Sequence, residues 1–476
     1  MKTPTPFPSS GSARAASALL LIVLAAACAS PVGEGEPATP APPHVVLILA
    51  DDLGYADLGF TGCEDIATPE IDRLASEGVV CTDAHVSASV CAPSRAGLLT
   101  GRYQQRSGFE CNLGGGDGLL EGTDTFVQHL QDAGYETALV GKWHLGAAAH
   151  NHPTALGFEH FSGLLSGSRS YFPVENPGRQ KRIERDGETI PEDTFAYLTD
   201  LLTDEGVRLV EERDPERPLF LFLSYTAPHG PMHARPDLLE RFASIEDPRR
   251  RKYAAMVAAL DEGVGRVRDA LEREGIADDT LLVFLSDNGG ATNNASDNGP
   301  WRGMKGSKWE GGHRVPFVVH WPGRLDPGRY DSPVSSLDLA GTFLAAAGAE
   351  PLAIADGVDL APHLAGARET EPHAELYWRR AVAAAVRSGD WKLIRVEEAD
   401  GSRRPPILVD LASDPGEQDD RAAMEPERVA ELTALLETWE ASLLPPRWLT
   451  AEVWRENQRR KHAIDLVGRD AERKLP

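Results

Sequence analysis

Long aliphatic runs separated by helical patterns constrain this chain more than any other feature. His44-Val45-Val46-Leu47-Ile48-Leu49-Ala50 is an unbroken stretch of β-branched and aliphatic side chains. A strand with one wet face alternates apolar and polar residues, so an unbroken run fits a strand buried on both faces of a parallel sheet. Similar runs recur at 137–140, 219–223, 281–285 and 315–320. Helical patterns lie between them, for example at 69–76, 124–133, 195–212 and 253–274. The alternation predicts a doubly wound, mostly parallel α/β sheet.

Ligands of such sheets bind beyond the carboxyl ends of the strands. Polar clusters fall there: Asp51-Asp52 after the first run, Lys142 and His144 after the second, His229 after the third, Asp287-Asn288 after the fourth. Three carboxylates and an amide carbonyl are hard oxygen donors, which suit Ca²⁺ or Mg²⁺ better than zinc. An isolated Asp-Asp pair after a strand usually caps a helix or meets water. Two polar pairs at strand ends shift that balance toward a site.

From about residue 370 the pattern changes. Segments 381–387, 391–396 and 406–411 read as short strands joined by turns, and 426–443 reads as a helix. A smaller C-terminal α+β domain, an antiparallel sheet with one covering helix, is therefore predicted at 371–445, after a catalytic domain at 44–370. The tail, 446–476, mixes charges of both signs and is expected to be loosely held.

The N-terminus has Lys2, Arg14 and then an apolar run to Ala27. This reads as an export signal over 1–27, too short to span a membrane. Leu24-Ala25-Ala26-Ala27-Cys28 resembles a bacterial lipoprotein cleavage site that places lipid on Cys28; an ordinary cleaved signal is the alternative. A Pro-, Gly- and Ala-rich tether follows over 28–43. The expected location is the periplasm or the outer membrane and cell surface, otherwise the secreted fraction, with lipid on Cys28 as the sole membrane contact. The formal charge of −25 argues against a nucleic-acid partner. It also requires that any anionic substrate be held by a local cationic pocket. Of the five cysteines, Cys63, Cys81 and Cys111 leave room for at most one disulfide.

Cys91-Ala92-Pro93-Ser94-Arg95 leads to Thr100-Gly101, giving C-x-P-S-R-x-x-x-x-T-G. This run resembles the signature of the type I sulfatases of the alkaline phosphatase superfamily, in which the cysteine is oxidised to Cα-formylglycine. The family's G-K-W-H-L-G stretch matches 141–146, its H-x-P histidine matches His229, and its K-G-x-x-W-E-G-G lysine matches Lys305. The similarity runs from about residue 44 to about residue 420.

The resemblance implies an alkaline-phosphatase-like fold and a calcium ion held by Asp51, Asp52, Asp287, Asn288 and the residue derived from Cys91. It implies that Lys142, His229 and Lys305 grip the sulfate and that Arg95 orients the nucleophile. A hydroxyl of the hydrated aldehyde attacks sulfur, His229 or Lys305 protonates the leaving oxygen, and His144 acts as general base when sulfate is expelled. It also implies a formylglycine-generating or sulfatase-maturating enzyme as partner and a sulfated carbohydrate or aryl sulfate as substrate. Lys308 is an alternative to Lys305, Ser94 reads as structural, and Gly114-Gly115-Gly116 reads as a turn. His313, Arg169, Tyr171, Trp301 and Arg302 are candidates for the pocket rim. Two rival functions share this scaffold: a phosphomonoester or phosphonate hydrolase, and a non-catalytic binder of sulfated glycans.

Overall fold

The run His44–Ala50 forms the central strand of a ten-stranded sheet. In this computed structural model the described residues are 41–112 and 118–462. The predicted export signal, most of the tether, the triple glycine and the end of the tail lie outside them. Leu219–Ser224 pairs in parallel on one side of the central strand and Thr280–Ser286 on the other. Glu136–Lys142 and His160–Leu164 extend the parallel block beyond Leu219–Ser224.

Alternate residues of each strand enter separate cores. Val46, Ile48, Leu221, Leu223, Leu282 and Phe284 pack under helices Pro69–Glu77, Leu198–Glu212 and Pro248–Arg273. Val45, Leu47, Phe220, Phe222, Leu281 and Val283 pack under helices Cys91–Thr100, Phe126–Asp132 and Asp338–Ala347. Both faces of the sheet are covered, which is why these strands read as unbroken apolar runs.

The fifth run departs from expectation. Phe317–His320 is a strand, but it runs antiparallel to Thr280–Ser286 and to Val79–Cys81. A parallel return needs a crossover back to the starting end of the sheet. The segment 287–316 stays at the carboxyl end of the strands, so the chain re-enters from there in the opposite direction.

The C-terminal sheet has four antiparallel strands, Glu375–Arg380, Ala383–Ser388, Trp391–Val396 and Ile407–Asp410. Helix Pro426–Ala441 covers one face through Leu432, Leu436 and Trp439. The other face packs on Trp309 through Trp378, Ala385, Ile394 and Val409. The first of these strands lies outside the segments expected from sequence.

The tail up to residue 462 corrects the expectation of a loosely held segment. It carries helix Glu452–Lys461 and ends on His462, which is fully buried. His462 Nε2 accepts the Lys308 N–H at 2.8 Å, and the Lys461 carbonyl accepts from Trp309 Nε1 at 2.9 Å. Cys63, Cys81, Cys91 and Cys111 are free thiols, so none of the possible disulfides forms among them. Among the described residues no helix is long and apolar enough to cross a membrane.

Candidate active site

Strand register assembles the acidic cluster. Ala50 pairs with Ser286, so the next residues, Asp51 and Asp287, leave the sheet side by side. The Asp287 N–H donates to the Ala50 carbonyl at 3.0 Å and the Asp51 N–H to the Ala227 carbonyl at 3.0 Å. Consecutive strand residues point to opposite faces. Asp52 escapes that rule through a left-handed backbone (φ 64°), and its N–H donates to Asp287 Oδ1 at 3.3 Å. Asn288 Nδ2 donates to Asp52 Oδ1 at 2.8 Å.

Cys91 opens helix Cys91–Thr100, all ten residues of which are buried. Its Sγ lies 3.5 Å from Asp51 Oδ1, 3.7 Å from Asp52 Oδ1 and 3.0 Å from Lys305 Nζ. Burial pushes the thiol pKa well above its ordinary value, outweighing the opposing charges of Lys142 and Lys305. The unmodified side chain is thus a protonated thiol, a poor nucleophile.

Four cationic or titratable side chains converge on the same point. Lys142 Nζ donates to Asp51 Oδ2 at 2.7 Å, and Lys305 Nζ donates to Asp52 Oδ1 at 2.5 Å. Arg95 Nε donates to Asp287 Oδ2 at 2.9 Å, and its Nη1 donates to Ser224 Oγ at 2.5 Å and the Lys142 carbonyl at 3.1 Å. His229 Nε2 sits 3.5 Å from Asp52 Oδ2. Burial raises the pKa of Asp51, but the charges of Lys142, His229 and Arg95 outweigh it and hold this carboxyl well below the usual range. Burial also opposes ionisation of Asp52, where Lys305 and His229 prevail in the same way.

His144 completes the group from the strand end beyond Lys142, with φ 65°. Burial, then the charges of Lys142 and Arg95, drive its pKa well below the ordinary value, so the ring is neutral. Its Nδ1 is buried without a hydrogen-bond partner. Lys308 Nζ instead turns to Ser89 Oγ at 3.1 Å, so of the two lysines Lys305 is the one that reaches the acidic cluster. Ser94 is buried inside the helix.

The five rim candidates do not line the cleft that opens on Asp52, His229 and Lys305. Arg169 pairs with Glu192, and His313 is fully buried and stacked on Trp378. Trp301 lies edge-on to Tyr55 and under Arg314, and Arg302 lies over Trp309. The Tyr171 hydroxyl donates to the carbonyls of Thr226 (2.5 Å) and His229 (2.8 Å), supporting the histidine from behind. Trp448, Thr450, Trp454 and Asn457 of the tail line the cleft in their place. The signal in the sequence was two tryptophans within an otherwise polar segment.

The residues present fit a divalent cation. Donor atoms of Asp51, Asp52, Cys91 and His229 lie within 4.8 Å of one another. Asn288 Oδ1, an amide carbonyl oxygen, is buried with no hydrogen-bond donor. A cation is the partner such an acceptor lacks.

A family model described as Sulfatase matches residues 43–349. Mouse arylsulfatase J is 38% identical over 59% of this chain and 48% of its own length, so the chain spans about half of that relative. Dog N-acetylgalactosamine-6-sulfatase is 32% identical over 76% of this chain and 73% of its own. The crystal structure of Ps i-CgsB in complex with k-i-k-neocarrahexaose is 34% identical, with a TM-score of 0.80 over 91% of this chain and 100% of that one. With the family model matching well over half its length, this chain belongs to the sulfatase family.

Proposed function

We propose that the protein hydrolyses sulfate monoesters of carbohydrates, using Cys91 oxidised to Cα-formylglycine. The observation that carries this reading is the convergence of Lys142, His229 and Lys305 on the cluster formed by Asp51, Asp52 and Cys91. That makes a local cationic grip on a chain of net charge −25. The hydrated aldehyde would supply a hydroxyl for attack on sulfur, and Asp51, Asp52, Asp287 and Asn288 would hold a Ca²⁺ that, when bound, would draw charge from the sulfate oxygens.

The chain's own side chains do the rest. Lys142 and Lys305 hold the sulfate oxygens and stabilise charge that develops on them. Arg95 fixes Asp287 and the Lys142 carbonyl, and so orients the nucleophile's surroundings. Burial lowers the Lys305 pKa, but the charge of Asp52 outweighs it and lifts the group above its ordinary range. A lysine held that firmly protonated gives up its proton poorly. His229, beside Asp52 and open to the cleft, is the better donor to the leaving alcohol. His144, neutral and with an unpartnered Nδ1, takes the proton when sulfate is expelled. The choice of a carbohydrate draws on the neocarrahexaose complex of Ps i-CgsB.

Formylglycine-bearing protein should release sulfate from p-nitrophenyl sulfate faster than phosphate from p-nitrophenyl phosphate. Cys91→Ala should abolish turnover and shift stability by less than about 1 kcal/mol, because a small buried thiol loses little packing. Retained turnover in that variant, or a clear preference for phosphate, would overturn the reading. We also read residues 1–27 as an export signal whose removal leaves lipid on Cys28. Palmitate labelling that disappears in Cys28→Ser is the expected result.

A further inference from the structure

Lys142 ends a strand and Lys305 is tied to Asp52, but His229 has neither anchor. It lies past the end of strand Leu219–Ser224, and its side chain is 24% exposed, so neither the sheet nor burial confines it. Its Nε2, 3.5 Å from Asp52 Oδ2, is beyond ordinary hydrogen-bond length. Its Nδ1 donates to the Gly230 carbonyl at 2.5 Å, which leaves Nε2 as the nitrogen that exchanges a proton at the cleft. That bond is to the adjoining residue, so it fixes the ring against its own backbone and no farther. The backbone of the turn therefore decides where the imidazole stands.

One buried hydroxyl holds that turn. The His229 N–H donates to the Thr226 carbonyl at 3.0 Å and closes it. Tyr171 Oη lies 2.5 Å from the Thr226 carbonyl oxygen and 2.8 Å from that of His229, so its single proton is shared between the two ends of the turn. The ring is buried and stacks on Tyr197, with centroids 5.6 Å apart. The Tyr171 carbonyl accepts at 2.7 Å from the N–H of Leu198, the first residue of helix Leu198–Glu212. The Tyr197 hydroxyl donates to the His233 carbonyl at 2.9 Å. The loop that carries the histidine is thus fastened to a helix through two stacked phenols. Burial lifts the Tyr171 pKa well above its ordinary value, so the hydroxyl stays a donor.

Resting on the proposed sulfatase activity, we infer that Tyr171 is a positioning residue for the proton donor: it holds the turn 226–229 so that His229 Nε2 meets the leaving oxygen. Tyr171 does not line the cleft, so its effect reaches the substrate only through the histidine. When the ester is cleaved, the bond from sulfur to the alcohol oxygen breaks, its electron pair stays on that oxygen, and the Nε2 proton joins it. A nitrophenolate leaves without that proton, whereas a methoxyphenol or a sugar hydroxyl needs it. The benefit of a well-placed His229 therefore falls on esters whose alcohol departs badly.

The test uses full-length, formylglycine-bearing protein and a series of aryl sulfates from p-nitrophenyl to p-methoxyphenyl sulfate. Their kcat/KM values report the step in which the alcohol leaves. Tyr171→Phe should lose at least about tenfold more on p-methoxyphenyl sulfate than on p-nitrophenyl sulfate, within the roughly 100-fold that a 1 Å misplacement costs. Added to His229→Ala, it should cost little beyond His229→Ala alone, since residues that serve one function do not add. The variant keeps the aromatic ring and its stack on Tyr197, and a thermal melt shows that it is folded. Tyr197→Leu removes the ring behind Tyr171 and leaves its hydroxyl. It should tilt the same ratio at least about threefold, and it decides the question if Tyr171→Phe does not fold. Equal losses across the series in the folded variant, or a full further loss in the double variant, would overturn the role of Tyr171. No sulfate release from any ester by the unaltered protein would instead overturn the proposed activity.

Discussion

Gly167 shows how little room surrounds the candidate base. A β-carbon there would lie 2.5 to 2.8 Å from three ring atoms of His144. Gly167→Ala must displace the imidazole, and displacements near 1 Å at a reacting group cost about 100-fold in rate. The expected outcome is a fall in kcat of about 10- to 100-fold with little change in melting temperature, read from steady-state kinetics and a thermal melt. At this scale the sequence was informative, because Asp51, Asp52, Lys142, His144, Asp287 and Asn288 lie at or just past strand ends, and strand ends were readable from the aliphatic runs. It was silent on roles set by burial. His313, Tyr171 and Arg169 were plausible as rim residues only while their partners, Trp378, the His229 carbonyl and Glu192, were unknown.

Among the elements, the segment from Lys305 to His313 is clamped from two sides. Lys392, in the C-terminal sheet, donates to Glu310 Oε1 and Glu417 Oε1, each at 2.8 Å, with all three side chains fully buried. Lys392→Met leaves two buried carboxylates facing each other and should cost about 3–5 kcal/mol, checked by chemical denaturation. Burial, and then the charge of Glu310, already push Glu417 up to about 7 against the pull of Lys392. A carboxyl with a raised folded pKa weakens the fold as pH climbs from its unfolded value toward the folded one. The deficit in the variant should therefore be largest above pH 7 and shrink toward pH 4.5, the ordinary value for a glutamate carboxyl. The tail forms the other clamp. Deleting residues 447–476 exposes Trp309 and removes the acceptor for the Lys308 N–H. A lower melting temperature and a lower kcat on p-nitrophenyl sulfate are expected together. Hydrophobic pattern could not reveal this docking, because the buried residues of the segment are Gln458, Arg459 and His462. Glu375–Arg380 was missed for a related reason: its inward residues, Leu376 and Trp378, alternate with polar ones that obscure a short strand.

For the molecule as a whole, the sheet and the site depend on each other through charge. Asp51, Asp52 and Asp287 stand together at the centre of the sheet, fully or almost fully buried. Burial first, and then the charge of Asp51, raise the pKa of Asp287. A bound cation relieves that repulsion, and ligands that bind only the folded state stabilise it by mass action. Calcium at about 100 times its dissociation constant should add about 2.7 kcal/mol, visible as a higher melting temperature in Cys91→Ala protein as well as in the mature form. A chelator should lower both stability and turnover, and calcium should restore them. The doubly wound plan was legible because burial on both faces leaves long apolar runs. The antiparallel return of Phe317–His320 was not, since direction depends on where the intervening loop stays and not on strand composition.

Cys91 is 1% exposed and roofed by Lys305, whose loop is in turn held by helix Glu452–Lys461. No protein-sized catalyst can touch a sulfur atom in that position once the chain has closed over it. Under the proposed oxidation of Cys91, the modification would have to precede collapse of the chain, and the yield of working protein would follow the relative speeds of those two events. Slower folding should then raise the converted fraction, and a molecule that folds first would stay inert.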